Sequence, residues 1–424
     1  MTRLRLEAGT TFRSLTNRNF RRYFVGQLIS QTGTWFEAVA VTWLMLELTG
    51  SGLALGLVTA ARFGPLLVLG PWGGVLSDRL DRQRLMLTTQ FLFATIAVIE
   101  AALVVTGNAN AGLFYLFAVT FGVLTAIDSP ARRAFVTELV PVADVPNAVG
   151  LNSALMTGAR TLGPALAGAL MAGPGIEWCF VVNAVSYAPV IWALLSLDRS
   201  KFRSSPRVAK AKGQLREGFR YVMATPNLML PLAMATVIGT LAFNYQVTLP
   251  LLAERDLAGD ARTFTLLYAS MSLGSVVGAL TVARQTRVDV PFLAAGGAGM
   301  AVTTAALTLA PTAPLAMLAA LPVGFTSFLV ISGSNAMAQV EADPAMKGRV
   351  LALFSTVFLG STPIGGPIVG WISQELSPRV GLAVGGVATA LVTLWVFRQL
   401  RRRGTEDRPD DAGAPEPERE PAAA

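Results

Sequence analysis

Twelve apolar stretches, each near the ~20 residues that carry an α-helix across a bilayer, follow one another along this chain. Their approximate limits are 23–48, 53–77, 85–106, 112–135, 147–172, 176–197, 227–252, 263–283, 289–310, 313–337, 349–374 and 379–399. The chain is 53% hydrophobic and 14% charged, whereas a soluble domain carries about 25% charged residues. It therefore has too little polar surface to cover an aqueous core of this size. Inside lipid every backbone N–H and C=O must be satisfied within its own segment, so the stretches are read as helices. The fold class is an all-α polytopic membrane protein with 12 transmembrane helices. The basic N-terminus, residues 1–22, lacks the short apolar core and small-residue cleavage site of a signal peptide.

The positive charges are distributed unevenly. With the N-terminus placed inside, twenty-seven Lys and Arg fall at the inner ends of the spans, against Arg255, Arg262 and Arg379 at the outer ends. This bias is the positive-inside signature and predicts both termini in the cytoplasm of a multi-pass protein of the cell inner (plasma) membrane. It also accounts for the high pI as a topology signal and an attraction to an anionic inner leaflet, without a nucleic-acid partner. The segment 198–226, the longest polar connection, divides the chain into a six-span half over 23–197 and another over 227–399. Residues 400–424, rich in Pro and acid, read as a disordered cytoplasmic tail.

The halves read as distant copies. "DSPARR" (128–133) follows span 4 and "ADPAMK" (342–347) follows span 10. "TLGPALAG" (161–168) lies in span 5 and "PIGGPIVG" (363–370) in span 11. Two such repeats fit a transporter whose halves rock about a midplane site.

Several chemistries are excluded by what the chain lacks. It has one cysteine, Cys179, and no histidine. No internal disulfide or multi-cysteine metal site can form, and proton chemistry falls to carboxylates because the usual neutral-pH carrier is missing. No G-x-x-x-x-G-K-[ST] loop marks an ATP site. With no nucleophile–base or metal constellation, the chain reads as a non-enzyme without cofactor or metal.

Charged groups within a span cost about 2.5–3.5 kcal/mol each on insertion scales and need a partner or a purpose. Glu37, Arg62 and Glu100 each lie 15 or 16 residues from an inner-edge anchor (Arg22, Asp78 and Arg84). At 1.5 Å per residue they sit roughly 22–24 Å up from the inner edge. Glu37 and Arg62, on adjacent spans at matched depth, are expected to face each other. The pair is either a static neutralising pair or a titrating acid tuned by its Arg. Glu100 is expected nearer the outer lip and solvated. Arg160, somewhat deeper on span 5, is available to an anionic substrate or to Glu37. Asn244 stands among Trp35, Trp43, Phe36, Asn183, Phe243, Tyr245 and Gln246, which would line a pathway for a bulky amphipathic ligand or pack helices together.

Residues 74–84, "GVLSDRLDRQR", put five charges between two apolar runs. Asp78 falls at the membrane edge, where a carboxylate can accept from the N–H groups at the start of another helix, a contact worth ~0.3–1 kcal/mol exposed and up to ~2 when partly buried. Gly74, Leu76, Asp78, Arg79 and Arg82 resemble the signature between spans 2 and 3 of the major facilitator superfamily. Asp81 and Gln83 depart from it. The resemblance implies a conformational gate at Gly74, Asp78, Arg79 and Arg82, with Asp78 meeting the start of span 11 only when the inner side is shut. Gly158, Gly163, Pro164 and Gly168 in "GARTLGPALAG" resemble the superfamily's antiporter motif without its final paired glycines. Residues 19–51, 73–90 and 128–168 are similar to the enterobactin-exporter and transmembrane secretion effector branch.

The resemblance implies two pseudo-symmetric six-helix halves. It further implies efflux of a small siderophore- or drug-like molecule by alternating access, as an antiporter exchanging for protons, in a protein expected to be monomeric. An importer or lysophospholipid-type flippase is the alternative within the superfamily. A non-transporting receptor or scaffold is the alternative outside it, and the buried Glu37, Arg62 and Arg160 weigh against that reading.

Overall fold

The computed structural model describes residues 11–203, 214–285 and 288–406. Twelve long helices form the bundle. In the first half they are α1 (Arg18–Thr49), α2 (Gly52–Arg79), α3 (Arg82–Val105), α4 (Ala111–Glu138), α5 (Val145–Ala172) and α6 (Glu177–Leu195). The second half holds α7 (Pro226–Asp256), α8 (Ala261–Arg284), α9 (Val290–Leu309), α10 (Ala313–Glu341), α11 (Lys347–Glu375) and α12 (Pro378–Glu406). Side-chain caps start several of them: the Ser51 hydroxyl accepts from Ala54 N–H, and the Asp81 and Asp289 carboxylates accept from Arg84 and Phe292 N–H. Between α1 and α2, Gly50 takes φ +59, a left-handed value that glycine adopts without steric cost, and so ends α1 and reverses the chain within two residues.

Among the described residues ten of these helices are long and apolar enough to cross a membrane. α1 and α5 fall outside that set because they turn polar residues inward: Gln31, Thr34 and Glu37 from α1, and Asn152, Ser153 and Arg160 from α5, line a shared cavity.

Packing follows the two-half plan. α2 packs on α4 as α8 packs on α10, and α3 packs on α4 and α6 as α9 packs on α10 and α12. The halves meet along two equivalent seams, α2 with α11 and α5 with α8. Small residues let these seams close. A Cβ on Gly56 would meet Pro367 Cα at 2.6 Å, and one on Gly168 would meet Thr265 Cβ at 2.7 Å.

Three boundaries differ from the sequence expectation. α12 runs to Glu406, so residues 400–406 continue a helix; 407–424, expected to be disordered, lie outside the described residues. The central connection carries an amphipathic helix, Gln214–Ala224, which buries Val222 and exposes Phe219 and Met223. α7 is interrupted: a π-helical turn at Ile238–Ala242 leads into a break at Phe243–Asn244, the α-helix resumes over Tyr245–Leu251, and a second π-helical turn, Leu252–Asp256, ends it. Prolines at 231 and 250 each withhold a backbone donor from that helix.

Candidate functional site: a charged cavity in the first half

α1 begins and α12 ends at one end of the bundle, called here the basic end; the α1–α2 turn marks the far end. A cavity of about 510 Å³ runs from Glu37, Arg62 and Glu100 toward Arg132, Arg133 and Asn152 near the basic end. Its wall comes from α1–α6 and, from the second half, Gln246 of α7.

Glu37 and Arg62 meet in the deep part of this cavity. Arg62 Nη1 donates to Glu37 Oε1 and Nη2 to Oε2, both at 2.8 Å. The guanidinium also lies over the Phe121 ring, 3.9 Å from its centroid. The bidentate fork holds two charges that would each be penalised alone at this depth. Tyr187 of α6 closes the cluster, its hydroxyl 3.4 Å from Thr34 Oγ1.

Glu100 belongs to the same cluster and not to a solvated outer lip. It is 5% exposed, lines the cavity and lies within Coulombic range of Glu37 and Arg62. The depth estimate from Arg84 placed it at the right level; the expectation of solvation failed because α3 turns it inward between α4 and α6.

Arg160 does not pair with Glu37. Its guanidinium projects into the cavity and lies 5.4 Å from the ring centroid of Phe243 on α7 and 5.2 Å from that of Phe358 on α11. Among the described residues no carboxylate lies within ion-pair distance of it. Asn244 sits behind the wall: 3% exposed, it donates to Thr240 O at 2.7 Å, and the cavity is reached by Gln246.

Within the antiporter-like motif the residues divide. Gly163 lets α5 approach α1, since a Cβ there would meet Trp35 Cβ at 2.5 Å, and Gly168 opens the α5–α8 seam. Pro164 is buried within α5. Gly158 has open space around it and permits no close contact.

At the basic end Arg79 is exposed, Gly74 is buried and Arg82 does the pairing. Arg82 binds Glu138 at the end of α4 and stands 3.6 Å from Asp78 Oδ1. At the start of α11, Arg349 Nη1 pairs with Glu217 Oε1 of the amphipathic connecting helix at 2.9 Å. The far end is tied across the halves instead. Ser51 Oγ donates to Gln374 Oε1 at 2.6 Å, Leu53 N–H to the same atom at 3.2 Å, and Arg255 Nη2 to Gly50 O at 2.7 Å.

Sequence reasoning missed Glu138 and a buried cluster on α4. Asp128 is fully buried, accepts from Thr89 Oγ1 at 2.6 Å and Gln90 Nε2 at 3.3 Å, and is bound by Arg132. Arg132 in turn lines the cavity. The i, i+4 spacing of Asp128 and Arg132 within "DSPARR" was the available signal.

The comparisons with known proteins agree on the class. The profile described as transmembrane secretion effector matches residues 9–421. An enterobactin exporter of Escherichia coli O1:K1 is 25% identical over 396 residues, 91% of this chain and 94% of the relative. One from Citrobacter koseri is 26% identical over 411 residues, covering 94% and 96%. A staphyloferrin A transporter of Staphylococcus aureus is 23% identical over 266 residues, 61% of this chain and 66% of the relative. Among solved structures, a bacterial homologue of the human lysosomal transporter Spinster, in an inward-facing unoccupied conformation, superposes with TM-score 0.72 at 16% identity, covering 93% of this chain and 99% of that one. A D-xylose–proton symporter superposes with TM-score 0.68 at 15% identity, covering 89% and 96%.

Proposed function

The chain belongs to the transmembrane secretion effector family, within the major facilitator superfamily of membrane transporters. From that premise we propose that it exports a small organic molecule, siderophore- or drug-like, across the inner membrane in exchange for protons. In this reading the basic end faces the cytoplasm, which the charge bias supports. In this orientation the cavity loads from the cytoplasmic side while the far end is latched, an arrangement suited to an exporter awaiting its cargo. The enterobactin exporters among its relatives support a siderophore-like cargo.

The observation that carries the reading is the cavity itself: about 510 Å³ of space, walled by aromatic rings and holding Arg160, whose guanidinium has no acidic partner among the described residues. A pocket of that size and mixed lining suits a small molecule, and Arg160 supplies an anchor for an anionic group on it. Protons provide the driving force through the buried carboxylates of the deep cluster.

Everted membrane vesicles energised with a proton gradient, offered a panel of metal-free siderophores and aromatic drugs, test the proposal. Uptake that collapses with a protonophore is expected. Accumulation of none of the panel, or accumulation only by right-side-out vesicles, would overturn the export direction.

A further inference from the structure

The deep cluster contains two carboxylates and one guanidinium on three different helices: Glu37 on α1, Glu100 on α3 and Arg62 on α2. The two carboxylates are not equivalent. Both oxygens of Glu37 are occupied by the Arg62 fork at 2.8 Å. Glu100, equally buried, receives no hydrogen bond and forms no ion pair among the described residues, yet lies within Coulombic range of both.

The other groups that face Glu100 do not alter that balance. α6 presents the Tyr187 hydroxyl, which is engaged with Thr34. α4 presents the rings of Phe114, Phe117 and Phe121 at this level and reaches its cations, Arg132 and Arg133, only toward the basic end. Arg160 of α5 faces Phe243 and Phe358. The cluster thus carries one negative charge more than its single cation can neutralise, in a place where an isolated carboxylate is strongly penalised.

We propose that Glu100 is the residue that takes up and releases the coupled proton, and that Arg62 is shared alternately between Glu37 and Glu100 as it does so. With a proton on Glu100 the cluster is neutral and Arg62 stays forked to Glu37, the arrangement observed. When the proton leaves to water in the cavity, Glu100 draws the guanidinium toward α3. Arg62 is carried by α2, the helix that forms the main seam with α11, so movement of its side chain transmits the proton's presence to the contact between the halves. Glu37 then serves as the resting partner and not as the proton carrier. This rests on the proton-coupled reading above and selects one of its two buried acids.

The test uses the full chain in proteoliposomes and needs no substrate. Infrared difference spectra between mildly acidic and mildly alkaline buffer should show the C=O stretch of a protonated carboxyl group in the wild type. The band should vanish in Glu100→Gln and reappear, shifted, in Glu100→Asp; in Glu37→Gln it should be lost at lower pH than in the wild type, because Arg62 is then free to pair with Glu100. A band that survives Glu100→Gln, or one that titrates unchanged in Glu37→Gln, overturns the assignment. So does a wild type without the band, the outcome expected if Glu100 is a permanently charged anchor for a cationic substrate.

As a second readout, a cysteine is placed at Leu251, buried beside Gly52 at the far end, in a Cys179→Ala background, and its maleimide labelling rate, divided at each pH by that of the same thiol in the unfolded protein, is followed with pH. Corrected in this way for the thiolate fraction, labelling should vary with pH in the parent and become flat with Glu100→Gln; retained variation of the corrected rate in that variant also overturns the proposal. Neither measurement depends on direction of transport, so failure of export in vesicles and failure of this assignment are separate results.

Discussion

Arg62 and Glu37 are joined by two parallel hydrogen bonds of 2.8 Å, one from each terminal guanidinium nitrogen. The link ties α2 to α1 deep in the bundle, and Arg62 is further held against Phe121 of α4. Breaking such a pair from one side strands the other charge, at a cost of about 3–5 kcal/mol in buried settings. Glu37→Gln and Arg62→Gln should therefore each lower the thermal unfolding midpoint of the purified protein markedly. The double variant should lose much less than the sum, since the one acid it leaves in the cluster, Glu100, is neutral when protonated. A double-mutant cycle gives the coupling directly; additive losses would mean that the pair contributes nothing beyond its two side chains.

Asp78 and the start of α11 should meet only when the cavity is closed toward the basic end. Asp78 stands 3.6 Å from Arg82, which is also held by Glu138. This places the acid of the sequence signature within a charge cluster on the first half, from which it can reach the second. A carboxylate at a helix start contributes up to about 2 kcal/mol, roughly 30-fold in the ratio of the two access states. Asp78→Asn should insert normally, shift labelling of cavity cysteines toward the open state and reduce transport by about that factor. Turnover at the wild-type level in correctly inserted protein would remove the latch.

Closure of the far end depends on the α2–α11 seam, where Gly56 packs backbone to backbone against Gly366 and Pro367. A side chain at Gly56 has nowhere to go, because the obstructing atoms belong to the main chain. Gly56→Val should force the seam apart, raising the labelling rate of a cysteine at Leu251, buried beside Gly52 at the far end, and weakening transport. Gly158→Ala, in open space, should leave both unchanged. Equal effects from the two substitutions would deny any special role to the seam.

On the loop before α8, Asp260 caps the helix by accepting from Thr263 N–H at 3.0 Å, and this hydrogen bond holds its carboxyl below the usual range. A depressed carboxylate stabilises the fold above its unfolded-state value and loses that contribution as pH falls through the folded one. Asp260→Ala should cost about 1 kcal/mol at neutral pH. The difference from wild type should shrink in acid, as read from unfolding midpoints across pH.

Much of this architecture was legible in the chain, and the reasons are physical. Span number and approximate limits followed from the length of apolar runs, because lipid allows few alternatives. The depth of Glu37, Arg62 and Glu100 followed from helical rise. Rotation did not, since these helices are apolar on most faces and leave little periodic signal. Hence Glu100 was expected in solvent and is buried, whereas Asn244 was expected on the pathway and lies behind it. The break in α7 escaped because its prolines stand at 231 and 250, away from the interruption at Phe243–Asn244. The Glu138–Arg82 pair joins residues 56 positions apart, a tertiary contact that no local pattern announces.

Arg160 offers the sharpest test of cargo chemistry. It is the cavity cation placed between two aromatic rings of the opposite half, Phe243 and Phe358, at 5.4 and 5.2 Å. Two contributions are therefore separable. Charge attracts an anionic group on the substrate, where a hydrogen bond to a charged partner contributes about 1.5–3 kcal/mol. The planar guanidinium also bridges the halves through the ring faces, a contact of about 0.5–2 kcal/mol. Arg160→Lys keeps the charge but loses the flat fork; Arg160→Ala loses both. For an anionic cargo identified in the vesicle panel, Arg160→Ala should weaken apparent affinity roughly tenfold or more. Arg160→Lys should retain most of it, and an uncharged analogue should be affected alike by both. Phe243→Leu with Phe358→Leu removes the rings while leaving the guanidinium in place. If that double variant mimics Arg160→Ala for charged and uncharged cargo equally, Arg160 acts as a strut between the halves and not as the anion's anchor.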